Sequence, residues 1–311
     1  MTQPTAADSL VVLSEGTSVD VPLVTIGLPV YNCEETVEDA IRSVYLQTYP
    51  NWELIIIDDG SNDRTPEILK GLDHDERVKV VARDGQNVGL AARLNQIAKM
   101  ANGDFIARFD ADDLMHPERI ERQMAYMLTH PTVDVVGTGV YVIDRSNQVI
   151  GIRRGKKVEH SVRAALRHSP LMHPTILARN AWVTKHPYDQ NIRRAQDREL
   201  WCRTIEQSQF SNLSDPLYFY REVGTRTPRQ YFDVYLRNRD TRLFLVNKYG
   251  KEALSLIGRL LMYTSIVGKA EVYRVMAMFR MHASQFVRRR ESITAEDRAQ
   301  ARSVIKTITG L

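Results

Sequence analysis

The sequence predicts an α/β protein: a mostly parallel, Rossmann-like sheet with helices on both faces, followed by a C-terminal helical region. Three observations carry that reading. Short apolar runs of the kind buried in parallel sheets recur at residues 23–28, 54–57 and 105–109. Between them, apolar residues fall at helical spacing, as at Val37, Ile41, Val44 and Tyr45. Strand and helix signals alternate along the first half of the chain, which calls for right-handed crossovers between parallel strands.

The elements follow in order. Residues 23–28 predict a strand ended by Pro29, and the loop Val30-Tyr-Asn-Cys-Glu34 leads into a helix stopped at Tyr49-Pro50. Residues 54–57 give a second strand, followed at once by Asp58-Asp-Gly-Ser61, and Thr65-Pro66 opens the next helix. A third strand is expected at 77–82, a helix at 89–100 ended by Gly103, and a fourth strand at 105–109. After His116-Pro117 a helix carries Ile120, Met124, Met127 and Leu128 on one face, and residues 133–136 read as a strand. Tyr141-Val-Ile-Asp and Gln148-Val-Ile-Gly flank a hairpin turn at Arg145-Ser-Asn147, so antiparallel pieces follow the parallel ones. A helix near 162–166, a strand at 175–178, a helix at 196–207 and a strand at 217–221 complete this part. From residue 230 the pattern is helical, with breaks expected at Gly250, Gly258 and Gly268.

Composition bounds the class. The chain has 311 residues, room for one large or two moderate domains, and the balance of a soluble globular protein. Residues 1–20 have no basic start and no long apolar run, so they read as a loose tail rather than a signal peptide or a membrane span. Arg259 and Lys269 bracket the best spanning candidate and leave it too short. Cys33 and Cys202 are the only thiols, too few for a disulfide framework and not at metal-site spacing, which points to reduced cysteines and a cytoplasmic setting. The net charge of +4 hides an asymmetry: from Arg229 onward there are sixteen Lys or Arg against seven Asp or Glu, +9, which leaves −5 for the rest.

The chemistry concentrates after the fourth strand. Asp110, Asp112 and Asp113 follow Phe109 directly, in a strand-loop-helix setting where an open α/β sheet receives its ligands. Alternation puts Asp110 and Asp112 on one side. Two hard oxygen donors there suit Mg2+ or Mn2+ holding a diphosphate. A Ca2+ loop of the EF-hand type fails, because Leu114 and Met115 stand where an oxygen ligand and the turn glycine belong. An aspartyl-phosphate phosphatase also places an Asp pair after a strand, and a solvated acidic turn is the plain alternative.

If the strands are parallel, the loops after Pro29, Ile57 and Phe109 open on one edge and form one site. Asp58 and Asp59 offer acceptors for ribose hydroxyls or a base N–H, Tyr31 a face for stacking, and Asn32 a polar anchor. No glycine-rich phosphate loop follows a strand, so a metal must hold the phosphates. The expected ligand is a nucleotide diphosphate; a nucleic-acid partner is not expected.

Pro29-Val-Tyr-Asn32, Asp58-Asp-Gly-Ser61, Asn87-Val-Gly-Leu90 and Ala107-Arg-Phe-Asp-Ala-Asp-Asp113, in that order and at those separations, resemble the family 2 glycosyltransferases of the GT-A fold. The resemblance covers about residues 22–222. It implies an inverting transfer of sugar from a nucleotide-diphosphate donor, with UDP the expected nucleotide, to a hydroxyl of a saccharide or lipid-linked saccharide, as in cell-surface polysaccharide or glycolipid synthesis. Pro29, Tyr31, Asn32 and Glu34 match the nucleotide pocket, Asp58 and Asp59 the residues near uracil and ribose, and Asp110, Ala111 and Asp112 the Asp-x-Asp motif, with Asp112 the metal ligand. Arg93 matches a basic position near the donor; its other reading is a solvent-facing helix arginine.

Gln196-Asp-Arg-Glu-Leu-Trp201 matches the segment that supplies the catalytic base, making Asp197 the base; Gln196 stands where the family has Glu. A helix-start carboxylate is the competing reading of Asp197. His173-Pro-Thr175 matches a turn near the acceptor, so His173 and Gln196 are expected in the acceptor region. The division of labour is then a tail at 1–20, a catalytic unit at 21–228 (nucleotide-sugar half 21–138, acceptor half 139–228) and basic helices at 229–311. Those helices either cap the catalytic unit or form a homodimer, or they make peripheral contact with anionic lipid through Arg288-Arg-Arg290 and residues 272–281, at the inner face of the membrane. A catalytically silent nucleotide-sugar binding module is a further alternative.

Overall fold

The computed structural model describes residues 21–72, 75–81, 85–192, 194–222, 228–278 and 291–310. The expected tail at 1–20 and the Arg288-Arg-Arg290 cluster lie outside them. The first half is built as β1 (Val24–Val30), α1 (Val37–Tyr45), β2 (Trp52–Asp58), α2 (Thr65–Leu69), β3 (Val78–Val81), α3 (Leu90–Met100) and β4 (Phe105–Arg108). Strands β1 to β4 are mutually parallel, in the order β3-β2-β1-β4. Their apolar residues are buried on both faces, as the uninterrupted runs require.

Next come β5 (Leu114–Met115), α4 (Arg119–Thr129), β6 (Val135–Ile143), β7 (Val149–Arg153), α5 (Val162–Arg167), β8 (Leu177–Arg179), α6 (Asn180–Lys185), α7 (Gln196–Thr204) and β9 (Phe210–Arg221). They extend the same sheet as β4-β8-β6-β9-β5, with β7 paired to β6. Strand β8 is antiparallel to both β4 and β6, while β6 and β9 are parallel.

Several boundaries differ from the sequence reading. Strand β1 continues through Pro29 and pairs Val30 with Asp58, since a proline near a strand end removes only one donor from the ladder. The pieces expected at 133–136 and 141–144 are one strand, β6. Its Gly137 and Gly139 look like a break but are sites of close approach: a Cβ on Gly139 would stand 2.7 Å from the Ser214 carbonyl oxygen. Strand β9 begins at Phe210, not 217, because its polar first half masks the pattern.

The C-terminal region is helical: α8 (Pro228–Ala253), α9 (Leu256–Met278) and α10 (Ala295–Thr309). Gly250, Gly258 and Gly268 lie inside α8 and α9, and the break falls between Ala253 and Leu256. A helix-interior glycine costs only about 1 kcal/mol relative to alanine, which packing overrides.

Apolar layers cover both sheet faces. Ile26, Leu28, Leu54 and Ile56 pack with Val37, Ile41 and Val44 of α1 and Ile120 and Met124 of α4. On the other face Ile55 and Ile57 share a cluster with Leu94 and Ile97 of α3, Leu200 and Trp201 of α7, and Leu245, Val246 and Ile266 of the α8–α9 hairpin. Helix α10 seats Ala301, Ile305 and Ile308 on Leu114, Tyr141, Ile143 and Phe219. Among the described residues no helix is long and apolar enough to cross a membrane.

Candidate active site

The parallel register brings the ends of β1, β2 and β4 to one edge, and polar side chains lace the three loops together. Asn32 adopts a left-handed backbone (φ 51°), a conformation asparagine tolerates. Its N–H donates to Ser61 Oγ at 2.9 Å, and its Oδ1 accepts from the Asn62 N–H at 2.9 Å. Ser61 in turn donates its N–H and hydroxyl to Asp58 Oδ1, at 3.0 and 2.6 Å. Glu34 Oε2 accepts from the Arg64 backbone N–H at 3.0 Å. Thr36 Oγ1 donates to the Ala111 carbonyl at 2.8 Å, joining the first loop to the acidic one.

A cavity of about 580 Å³ opens at this edge, a size suited to a nucleotide-scale ligand. Pro29, Tyr31, Asn32, Glu34, Asp110, Ala111 and Asp112 line it together. Asp58 is almost wholly buried and does not line it. Asp59 and Arg93 do not line it: they form a buried ion pair at 2.8 Å, and Asp59 also accepts from the N–H groups of Val88 and Gly89 where α3 begins. Arg93 Nη2 donates to the Gln86 carbonyl at 2.7 Å, so the Asn87-Val-Gly-Leu90 turn is held by this pair. Arg93 is buried, not solvent-facing.

The acidic loop crowds like charges. One oxygen each from Asp110, Asp112 and Asp113 lies within 4.8 Å of the others. Arg108 Nη2 holds Asp110 Oδ1 at 2.7 Å. Burial, then the Asp110 charge, pushes Asp112 up to about 6. Burial, then Asp112 and Asp110, raises Asp113 well above the carboxylate range. Asp113 is buried, and its Oδ2 has no hydrogen-bond partner. An orphaned carboxylate oxygen among crowded carboxylates is a donor set that a hard divalent cation fits.

Arg221, at the end of β9, closes the loop from behind. Its N–H donates to Asp113 Oδ1 and its Nε to the Asp112 carbonyl, both at 2.6 Å; Nη1 donates to the Asp144 carbonyl at 2.8 Å. Arg221, Arg145 and Asn147 line the cavity and were not among the expected site residues. The hairpin turn at 145–147 was legible, but only the β6–β9 pairing carries it and Arg221 to the acidic loop.

The expected acceptor residues form a second group outside this cavity. His173 is buried, its Nε2 2.7 Å from the Tyr188 hydroxyl and its ring edge-on to Trp201. Burial, reinforced by Arg108, holds His173 well below its usual value and therefore neutral. Gln196 is buried and opens α7 behind Ala195 in the left-handed region (φ 54°). Asp197 is half-buried, and burial raises its carboxyl, partly offset by Arg198 and Arg108. Burial opposes the Arg108 charge, but the carboxylates of Asp110 and, more weakly, Asp197 sustain it. One guanidinium thus feels both groups.

A curled, mostly parallel sheet with an acidic cavity at the carboxyl ends of its strands defines a GT-A type protein. Residues 25–190 match the family described as Glycosyl transferase family 2, and the chain belongs to that family. It is 37% identical over 226 residues to EpsE of Bacillus subtilis, named as a candidate glycosyltransferase, covering 70% of this chain and 79% of that one. It is 38% identical over 130 residues, 42% of this chain and 49% of the other, to an Escherichia coli protein named UDP-Glc:alpha-D-GlcNAc-diphosphoundecaprenol beta-1,3-glucosyltransferase WfgD. In fold it is similar to the mannosyltransferase PcManGT of Pyrobaculum calidifontis, solved with GDP-Man and Mn2+. The TM-score is 0.57 at 16% identity, covering 93% of this chain and 80% of that one.

Proposed function

We propose that the chain transfers a sugar, with inversion, from a nucleotide-diphosphate donor, UDP-linked in our reading, to a hydroxyl of a saccharide or lipid-linked saccharide. The observation that carries this reading is the crowded trio Asp110, Asp112 and Asp113, of which Asp110 and Asp112 line a nucleotide-sized cavity and Asp113 is buried next to them. Asp112, with Asp110, would hold Mn2+ or Mg2+, which when bound offsets charge developing on the leaving diphosphate. Tyr31 offers its exposed ring to the base, Asn32 and Glu34 fix the loop around it, and Asp58 serves the ribose side by holding the Ser61 turn. Asp59 and Arg93 act on the donor only through the turn they hold.

Asp197 takes the proton from the acceptor hydroxyl as the new bond forms, and burial, which raises its carboxyl, makes it a stronger base than a free Asp. Neutral His173 and Gln196 shape the acceptor side. We assign donor binding to residues 21–138, acceptor binding to 139–228, and work at a cytoplasmic membrane face to the helices of 229–311. The names of the relatives support this reading: one uses UDP-Glc and a diphosphoundecaprenol-linked sugar, and a fold neighbour was solved with GDP-Man and Mn2+. Membership of a transferase family leaves the phosphatase reading without support.

The test is a screen of UDP- and GDP-sugars for thermal stabilisation with and without Mn2+ or Mg2+, followed by transfer and by the anomeric configuration of the product. Metal-dependent stabilisation and an inverted product are expected. Donors that stabilise without metal would remove Asp112 from the scheme, and binding with neither hydrolysis nor transfer would establish the silent module.

A further inference from the structure

We propose that the outward face of α9 docks on an anionic lipid surface. The helix is two-faced in an unusual sense. Its inner arc, through Met262, Tyr263 and buried Ile266, packs against the body of the protein. Its outer arc is also apolar: Leu256, Ile257, Leu260, Leu261, Val267 and Val272 are between 45 and 70% exposed. Monomeric proteins expose single apolar side chains freely, but a contiguous stripe of this size marks a contact surface. From Ala253 to Gly268 the only charged residue is Arg259.

Charge selects the occupant. Lys251, Arg259, Lys269 and Arg274 accompany the stripe against Glu252 and Glu271, the latter paired with Arg274 at 2.8 Å, so the surroundings of α9 are net positive by two charges. A second copy of the chain would set one net-positive face against another, whereas an anionic headgroup layer complements both the charge and the apolar arc. No described helix spans a bilayer, so the contact lies in the interface plane.

The position of the face gives the contact a consequence. Helix α8 is locked to α7 by buried Glu199, which accepts from the Tyr249 hydroxyl at 2.5 Å and meets Lys248 Nζ at 3.5 Å. Glu199 lies two residues after Asp197. A lipid-bound α8–α9 hairpin would therefore fix the helix that carries the proposed base relative to the membrane, where a lipid-linked acceptor presents its hydroxyl. The docking deepens the membrane role proposed for residues 229–311, and that last step rests also on the proposed transfer.

The experiment is co-sedimentation of the full chain with vesicles of phosphatidylcholine alone or mixed with phosphatidylglycerol, at low and high salt, without donor or acceptor. Binding to the anionic vesicles, weakened by salt, is expected, and Ile257→Glu with Leu261→Glu should reduce it by about tenfold or more. The double variant should keep its melting temperature and its metal-dependent stabilisation by nucleotide sugar. Absence of binding at low salt, or equal binding by the double variant, overturns the proposal. So does a dimer in light scattering that the variant converts to monomer, because a second copy then covers the face. Failure here leaves the transferase reading intact, and failure of donor binding leaves the vesicle result intact.

Discussion

Arg221 donates its backbone N–H to Asp113 Oδ1 at 2.6 Å across 108 residues of sequence, so the last long strand of the sheet fixes the acidic loop that follows β4. Its Nε and Nη1 extend the clamp to the carbonyls of Asp112 and Asp144. Arg221→Ala keeps the backbone bond and removes these, with a longer one from Nη1 to the Arg145 carbonyl at 3.4 Å. The expected loss is about 1–2 kcal/mol in chemical denaturation, since the Asp112 carbonyl loses a charged donor while the Asp144 carbonyl keeps the Asn147 N–H at 3.1 Å, together with weaker metal affinity in a titration followed by thermal shift.

Asp112→Ala should abolish metal-dependent stabilisation by nucleotide sugar while the fold persists, because Asp112 is open to the cavity and makes no buried side-chain bond. Thermal melts with donor and Mn2+ read this directly. Retained metal dependence would move the ligand role to Asp113.

Asp197→Asn should bind donor as the parent does and lose turnover by about 10²–10⁴-fold. The same variant has a pH signature. Burial raises the Asp197 carboxyl above the ordinary value of 3.8, so the folded chain holds that proton more tightly than the unfolded one. Its contribution to stability is fully present below 3.8 and is lost as pH rises through the raised value. The variant's melting temperature should therefore gain on the parent's as pH climbs through that window and then hold its lead. In the parent, the acid limb of kcat should lie above the ordinary Asp range.

Glu199→Ala should cost about 1.5–3 kcal/mol, since it removes the charged acceptor shared by Arg203, Lys248 and Tyr249 while the two cations keep access to water. Hydrogen exchange in α8 and α9 should rise more than in β1 or β2. A uniform rise across the chain would mean that Glu199 supports the whole body and not this joint.

The parallel half was legible because its signals are local. Ile55 and Ile57 sit in an uninterrupted apolar run, and Asp58-Asp-Gly-Ser61 follows the strand immediately. The antiparallel half was legible only in fragments. Strand β9 carries Ser211, Asn212, Ser214 and Pro216 in its first part, and β6 hides behind two glycines whose need comes from distant partners, side chains of Asn212 and Leu171 at Gly137 and the Ser214 backbone at Gly139. Within the site, the cavity gathers Tyr31, Asn32 and Asp112 as their loops suggested. Asp59 and Arg93 carry the family's motif positions yet turn to each other, an outcome set by where α3 starts in space. Arg221 was invisible for the same reason: nothing near it in sequence mentions Asp113.

The seating of α10 has a practical corollary for anyone shortening this chain. Ile305 and Ile308 cover Leu114 and Phe219, and Arg42 of α1 reaches the Ile308 carbonyl at 3.2 Å. Leu114 is the immediate neighbour of Asp113. Cutting away the final helix would bare a greasy seam one residue behind the carboxylates, so a trimmed version should precipitate or loosen its acidic loop before it loses its sheet.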